Sequence, residues 1–226
     1  MVLKLYSGTP TVGGASLVAI TLIEKQVPFE HVLVDLTLKQ QKLPEHIARH
    51  PFGQVPVIDD DGFILYEGRA ICRYLADKYA AQGTPGLIPP ASDFQARGRF
   101  EAGASFEVFN FYPHMKAIWA EIIPKHNEGL PIDQAGLDAA LAALNARLDV
   151  YEVILGQQQY IAGDTFTVAD ILHLMHAPTL LKRTGIDVVT SEERPNVTRW
   201  WRDITGRPSV REVIDNGVIK SRLSVP

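Results

Sequence analysis

Residues 51–79, PFGQVPVIDDDGFILYEGRAICRYLADKY, decide how the rest of the chain is read. Val55 to Ile58 is an apolar run, Asp59-Asp60-Asp61-Gly62 a turn, and Phe63 to Tyr66 a second apolar run. Asp-Gly between two such runs signals a hairpin, because the tight turn needs positive φ and glycine supplies it without steric cost. Beyond the hairpin, Ala70, Ile71, Tyr74, Leu75 and Tyr79 share one face at helical spacing. Pro56 stands at the mouth of the first strand, where a residue that cannot donate to the ladder is tolerated, and X-Pro turns are where cis peptides occur. A cis bond there would turn the Val55 backbone N–H and C=O outward, toward an extended peptide ligand. Glu67-Gly68-Arg69 falls where strand gives way to helix, and free backbone N–H groups at such a junction favour an anion.

Outward from this stretch, Val2 to Tyr6 alternates apolar and polar residues as a short strand does. Ser7 to Gly14 is a turn-rich loop, and Ala15 to Lys25 reads as a helix with Leu17, Ile20, Leu22 and Ile23 inward. Phe29 to Leu36 is a second strand, so a parallel β-α-β unit follows. Thr37 to Arg49 is polar and irregular apart from a helical turn from Pro44. The resulting β-α-β-α-β-β-α order is the thioredoxin-like arrangement, assigned to residues 1–82. Residues 83–92 lie in a stretch rich in glycine and proline and form the linker. Residues 93–226 read as an all-helical domain. Its long first helix, Asp93 to Trp119, contains Pro113, which predicts a kink near Tyr112. A loop is expected over Lys125 to Ile132, then an amphipathic helix over Asp133 to Leu155. Thr167-Val-Ala-Asp170 is a capping box, which makes Asp170 a folding residue, and Pro195 to Val213 reads as a final helix pair.

Composition narrows the function. The chain has 226 residues, 46% hydrophobic and 21% charged, with 22 basic against 26 acidic side chains. No basic block is present, so neither nucleic acid nor an anionic membrane is expected as a partner. No apolar run approaches the ~20 residues of a membrane span, and the N-terminus runs straight into a strand, leaving no expected signal peptide. A single cysteine, Cys72, excludes an internal disulfide and suits a reducing compartment, so a cytoplasmic location is expected. The seven histidines are scattered, and no metal site is expected.

PFGQVP, the Asp-Asp-Gly hairpin, EGRAI with CRYLADKY, and the later GDTFTVAD together resemble the glutathione transferases, nearest to the phi class and its fungal relatives. The resemblance covers essentially the whole chain. It implies a thioredoxin-like domain that binds glutathione as co-substrate and a helical domain that shapes a pocket for a small hydrophobic ligand. The implied activity is conjugation of the glutathione thiolate to an electrophile. The catalytic hydroxyl of the family maps to Thr11 when counted from the strand and to Val12 when counted back from the helix, and Thr9 and Ser16 are further hydroxyls nearby. A hydroxyl at a helix N-terminus lowers a thiol pKa from about 8.5 toward neutrality. Val55 would pair through its backbone with the cysteinyl part of glutathione, with Pro56 as the cis proline and Gln54 holding the peptide. Lys42 would grip the glycine carboxylate, with Gln41 where the family has histidine. Glu67 would hold the γ-glutamyl ammonium, with Arg69 close by. Gly68 stands where the family has a serine, whose hydroxyl bond to a carboxylate is worth roughly 1.5–3 kcal/mol. The expected electrophile pocket takes Tyr112, Met115 and Trp119. Phe52 matches the family's dimer key, implying a homodimer. Two other readings remain open: a non-catalytic binding protein for hydrophobic ligands, favoured by Val12, Gln41 and Gly68, and a glutathione-dependent peroxidase. Cys72, inside a helix, reads as structural.

Overall fold

The computed structural model describes residues 2–8, 13–216 and 224–225. By its contacts the chain divides into two units, Met1–Ile88 with Arg207–Pro226, and Pro89–Gly206.

The first unit is built on β1 (Leu3–Ser7), α1 (Gly14–Glu24), β2 (Phe29–Leu33), a 3-10 turn at Gln40–Lys42, α2 (Pro44–Ile47), β3 (Val57–Asp60), β4 (Phe63–Tyr66) and α3 (Gly68–Lys78). The sheet order is β4-β3-β1-β2, with a two-residue strand, β5 (Ser224–Val225), outside β2. β1 and β2 are parallel, running from Leu3 opposite Phe29 to Ser7 opposite Leu33, and α1 is the crossover that a parallel pair requires. β3 and β4 are antiparallel and close at Asp60 opposite Phe63. Their two-residue turn has φ of 56° at Asp61 and 90° at Gly62, the mirror-image turn that the Asp-Gly pair predicts. β2 stops earlier than the apolar run of the sequence. The Asp35 carboxylate accepts bonds from the Thr37 N–H (2.8 Å), the Thr37 hydroxyl (2.6 Å) and the Leu38 N–H (3.1 Å), and that local turn ends the strand. Leu5, Leu17, Ile20, Ile58, Ile71 and Leu75 are fully buried and carry the core from sheet, α1 and α3.

The second unit is helical: α4 (Phe94–Phe106), a π-helical stretch (Glu107–Phe111), α5 (Tyr112–Glu128), α6 (Gln134–Leu155), α7 (Val168–Leu172), α8 (Ala177–Thr184) and α9 (Pro195–Gly206). The kink expected at Pro113 is thus realised as a widened turn just before it. Proline removes one donor and its ring crowds the carbonyl four residues back, and a π-turn accommodates both. α5 continues through Pro124 and ends at Gly129, whose φ of 67° supplies the left-handed cap, so the loop expected from Lys125 begins only there. The capping box is formed as expected: the Thr167 hydroxyl accepts from the Ala169 N–H (3.2 Å) and Asp170 accepts from the Thr167 N–H (2.9 Å). Asp170 is fully buried, and its other oxygen accepts from the Ile161 N–H (3.0 Å) and the Trp200 indole N–H (2.9 Å). Burial pushes its pKa up, while these donors hold it down only in part. His173 is also buried. Its Nδ1–H donates to the Ala169 carbonyl (2.8 Å), so Nε2 accepts from the Tyr151 hydroxyl (3.1 Å).

The last helix, α10 (Pro208–Asn216), packs on α1. The sequence reading runs the helical domain on to residue 226, whereas the contacts place 207–226 with the first unit. The physical reason is Glu24, only 6% exposed at the end of α1. Its carboxylate accepts from Nε and Nη2 of Arg207 (both 2.8 Å) and from the hydroxyls of Ser209 and Thr84. Burial alone would raise its pKa; these bonds and the Arg207 charge outweigh burial and leave it below the usual carboxylate value.

Asp170→Ala would leave buried N–H donors with no acceptor, at a cost of about 3 kcal/mol. Guanidinium unfolding followed by tryptophan fluorescence should show the loss; a variant as stable as the wild type would remove Asp170 from the folding role.

Candidate functional site

Three segments of the first unit converge. α1 starts at Gly13, with φ of 76° and no side-chain hydrogen bond to the helix N-terminus. α3 starts at Glu67, a non-glycine residue at φ 72° and ψ 102°, again without a side-chain cap. Backbone held in that region costs on the order of 1–3 kcal/mol and concentrates at functional sites. Between them runs the loop into β3, in which the Val55–Pro56 peptide is cis, as expected. The approach is close. A Cβ on Gly14 would lie 3.1 Å from Pro56 Cδ, and a Cβ on Gly68 would lie 3.2 Å from both Cα and O of Gly14. The positive ends of two 11-residue helices are therefore brought together with their first N–H groups uncapped by side chains. That arrangement stabilises negative charge.

A second cluster borders the same loop. Gln41 and Lys42 lie on the 3-10 turn. Gly53, at φ 57°, lets the loop press against them, since a Cβ there would be 2.7 Å from the Gln41 carbonyl. Lys42 Nζ donates to the Phe52 carbonyl (3.0 Å), and His46 Nε2–H donates to the Gln54 carbonyl (2.7 Å). Gln41 Oε1 is buried without a hydrogen-bond partner. Exchange of its amide nitrogen and oxygen aims an NH2 donor at the same place, which is what a carboxylate requires. His50 is 2% exposed and stacks on Tyr66 at 4.6 Å, with Nδ1 buried and unpartnered. Burial holds its pKa below the usual histidine value; Glu67 pulls the other way, and His46 and Lys42 add to the lowering.

Gln41, Lys42, Gln54, Val55, Pro56, Glu67, Gly68 and Arg69 thus all lie on these converging segments of the first unit. Thr11, with Thr9 and Val12, lies outside the described residues. Ser16 is buried, and its hydroxyl donates to the Gly13 carbonyl (2.7 Å), which commits its proton within the helix. Gly14, His46 and His50 were not picked out by sequence. A glycine pair opening a helix was the available signal for the first; nothing in the spacing marks the two histidines. In the second unit, Tyr112 and Trp119 flank His176, with ring centroids 5.7 and 4.9 Å from it and near-parallel planes. Met115 is 1% exposed and packs in the core. Cys72 is buried, and burial pushes its thiol up to about 12, so it is not a nucleophile near neutral pH. Phe52 is 68% exposed. Among the described residues no helix is long and apolar enough to cross a membrane.

Residues 1–77 match the family described as glutathione S-transferase, N-terminal domain, and residues 111–208 match glutathione S-transferase, C-terminal domain. The chain is 41% identical over 208 residues to glutathione S-transferase hmp2 of Hypomyces subiculosus, covering 92% of this chain and 95% of that one. It is 35% identical to glutathione S-transferase F11 of Arabidopsis thaliana, over 95% of this chain and 98% of that one. Among solved structures it resembles glutathione S-transferase I from maize in complex with an atrazine glutathione conjugate, at a TM-score of 0.86 and 29% identity, covering 98% of this chain and all of that one (100%).

His31, His50 and His114 all have pKa values lowered by burial. Below about pH 6.5 the unfolded chain therefore binds protons that the native chain resists, and stability falls with pH. Thermal melts between about pH 7.5 and about pH 5 should show a falling midpoint, with a shallower slope in His50→Asn. An identical slope would remove His50 from that dependence.

Proposed function

The chain belongs to the glutathione S-transferase family, with relatives of the phi class, and we propose how its residues divide the work of transferring glutathione. The observation that carries the proposal is the meeting of two uncapped helix N-termini, those of α1 and α3, beside the Val55–Pro56 loop. Glutathione is a peptide with a thiol and two carboxylates, and that junction offers it an extended backbone edge and a site for negative charge.

In this reading Val55 pairs with the cysteinyl main chain, with Gln54 supporting it. Gln41 and Lys42 take the glycine carboxylate. Glu67 takes the γ-glutamyl ammonium, while the N-terminus of α3 at Gly68, with Arg69, takes the γ-glutamyl carboxylate. The thiol then lies toward the start of α1, where the Thr11 hydroxyl donates a hydrogen bond to the sulfur. Helix dipole and hydrogen bond both favour thiolate over thiol, so nucleophile is present at neutral pH. The sulfur lone pair attacks an electrophilic carbon of a small hydrophobic substrate. The displaced electron pair leaves with a leaving group or settles on an activated acceptor that takes up a proton. Tyr112 and Trp119, stacked on His176 in the helical unit, are the residues assigned to an apolar second substrate, whereas Met115, expected with them, is buried in the core. Holding thiolate and electrophile together supplies the proximity contribution. The relatives support this transferase reading over a non-catalytic binding protein or a peroxidase.

The same reading makes the protein a cytosolic homodimer. Exposed Phe52 supports the dimer, since an aromatic ring left open at a loop tip is unfavourable in water and anchors a partner when buried. The lone, buried Cys72 is consistent with a reducing compartment.

Thr11→Ala should slow conjugation of a generic aromatic electrophile about tenfold at neutral pH, as the thiol pKa rises back toward 8.5, with little change in glutathione affinity. An unchanged rate would assign the role elsewhere. Phe52→Ala should shift the protein toward monomer in light scattering after size exclusion, and a wild type that is already monomeric would refute the dimer.

A further inference from the structure

Gly68 invites a simple correction: restore the hydroxyl by Gly68→Ser and tighten glutathione about ten- to hundredfold, the worth of one hydrogen bond to a charged group. The geometry around Gly68 opposes this. The place where its side chain would begin is crowded by main chain, since a Cβ there lies 3.2 Å from Gly14 Cα, 3.2 Å from Gly14 O and 3.4 Å from Gly14 C, closer than ordinary van der Waals contact. A backbone does not swing aside as the end of a flexible side chain does. Gly14 has no room to retreat either, since its own missing Cβ would face Pro56 Cδ at 3.1 Å and Cγ at 3.7 Å. Gly68, Gly14 and Pro56 form a three-part contact in which every position facing another lacks a side chain or is a rigid ring.

We propose that Gly14 and Gly68 are one coupled, specificity-determining pair, and that Gly14 has taken the space of a residue-68 side chain. The γ-glutamyl carboxylate of glutathione is then held at the α3 N-terminus by main-chain N–H groups, and a hydroxyl at position 68 cannot be added without separating α3 from α1. This rests on the glutathione reading above and extends it to two residues. Both are needed. The first helical turn of α1 can approach α3 only because position 14 is glycine, and position 68 is glycine because of that approach. The ligand part that feels the pair is the γ-glutamyl group alone.

The test is the affinity of wild type, Gly68→Ser and Gly68→Ala for glutathione and for the dipeptide cysteinylglycine, which lacks the γ-glutamyl group, together with thermal midpoints. Both variants should bind glutathione about tenfold more weakly, serine no better than alanine, with the preference for glutathione over cysteinylglycine reduced. Both should also melt below the wild type. In an open helical position, Gly→Ala stabilises, so a raised midpoint would overturn the contact whatever happens to binding. Gly68→Ser binding as tightly as the wild type, or more tightly, would overturn the pair. Failure of the wild type to bind glutathione would instead sink the assignment of the ligand, leaving the melts to decide the contact.

Discussion

The contact of Gly14 with Pro56 and Gly68 is the constraint on which the first unit depends. Two helices that follow different strands must begin at the same point, one after β1 and the other after the β3–β4 hairpin. The parallel β1–β2 pair fixes where α1 crosses the sheet, and the hairpin register of Asp60 opposite Phe63 fixes where α3 departs. Had either glycine carried a side chain, the two N-termini would stand further apart and their dipoles would no longer act on one small region. The left-handed backbone of Glu67 is part of the same arrangement, since it turns the chain from strand to helix within one residue.

Buried polar groups in both units are managed by supplying partners. Asp170 draws donors from Ile161, Thr167 and Trp200, which ties the start of α7 to α9 and to the loop before it. Glu24 does the same for α1, Thr84 and α10, with a two-pronged arginine as the counter-charge. Such clusters define geometry more than they add net stability, because desolvation offsets much of the attraction. His50 differs: its imidazole is buried against Tyr66 beside the candidate site, and its Nδ1 has no hydrogen-bond partner.

Much of this was legible in the sequence, and for identifiable reasons. Asp61-Gly62 required a mirror-image turn and made one; the period of Ile71 and Leu75 predicted the buried face of α3; Thr167 and Asp170 announced their own capping box. What the sequence could not show was proximity between segments distant in the chain. Nothing in SGTPTVGG says that Gly14 meets Gly68, so the sequence shows the missing hydroxyl but not the close approach of Gly14 main chain to position 68. Nor does any spacing show that Glu24, at the end of α1, meets Arg207. Pro113 was read correctly as a disturbance, yet a π-turn rather than a bend resolves it, because local propensity does not choose between the two.

The most direct test of the whole account is ultraviolet titration of the thiolate of glutathione bound to the wild-type protein. The expected result is a bound thiol that ionises at least about one pH unit below the free value near 8.5, as the α1 N-terminus and a hydroxyl donor require. A bound thiol that titrates at its free value would contradict activation at this junction.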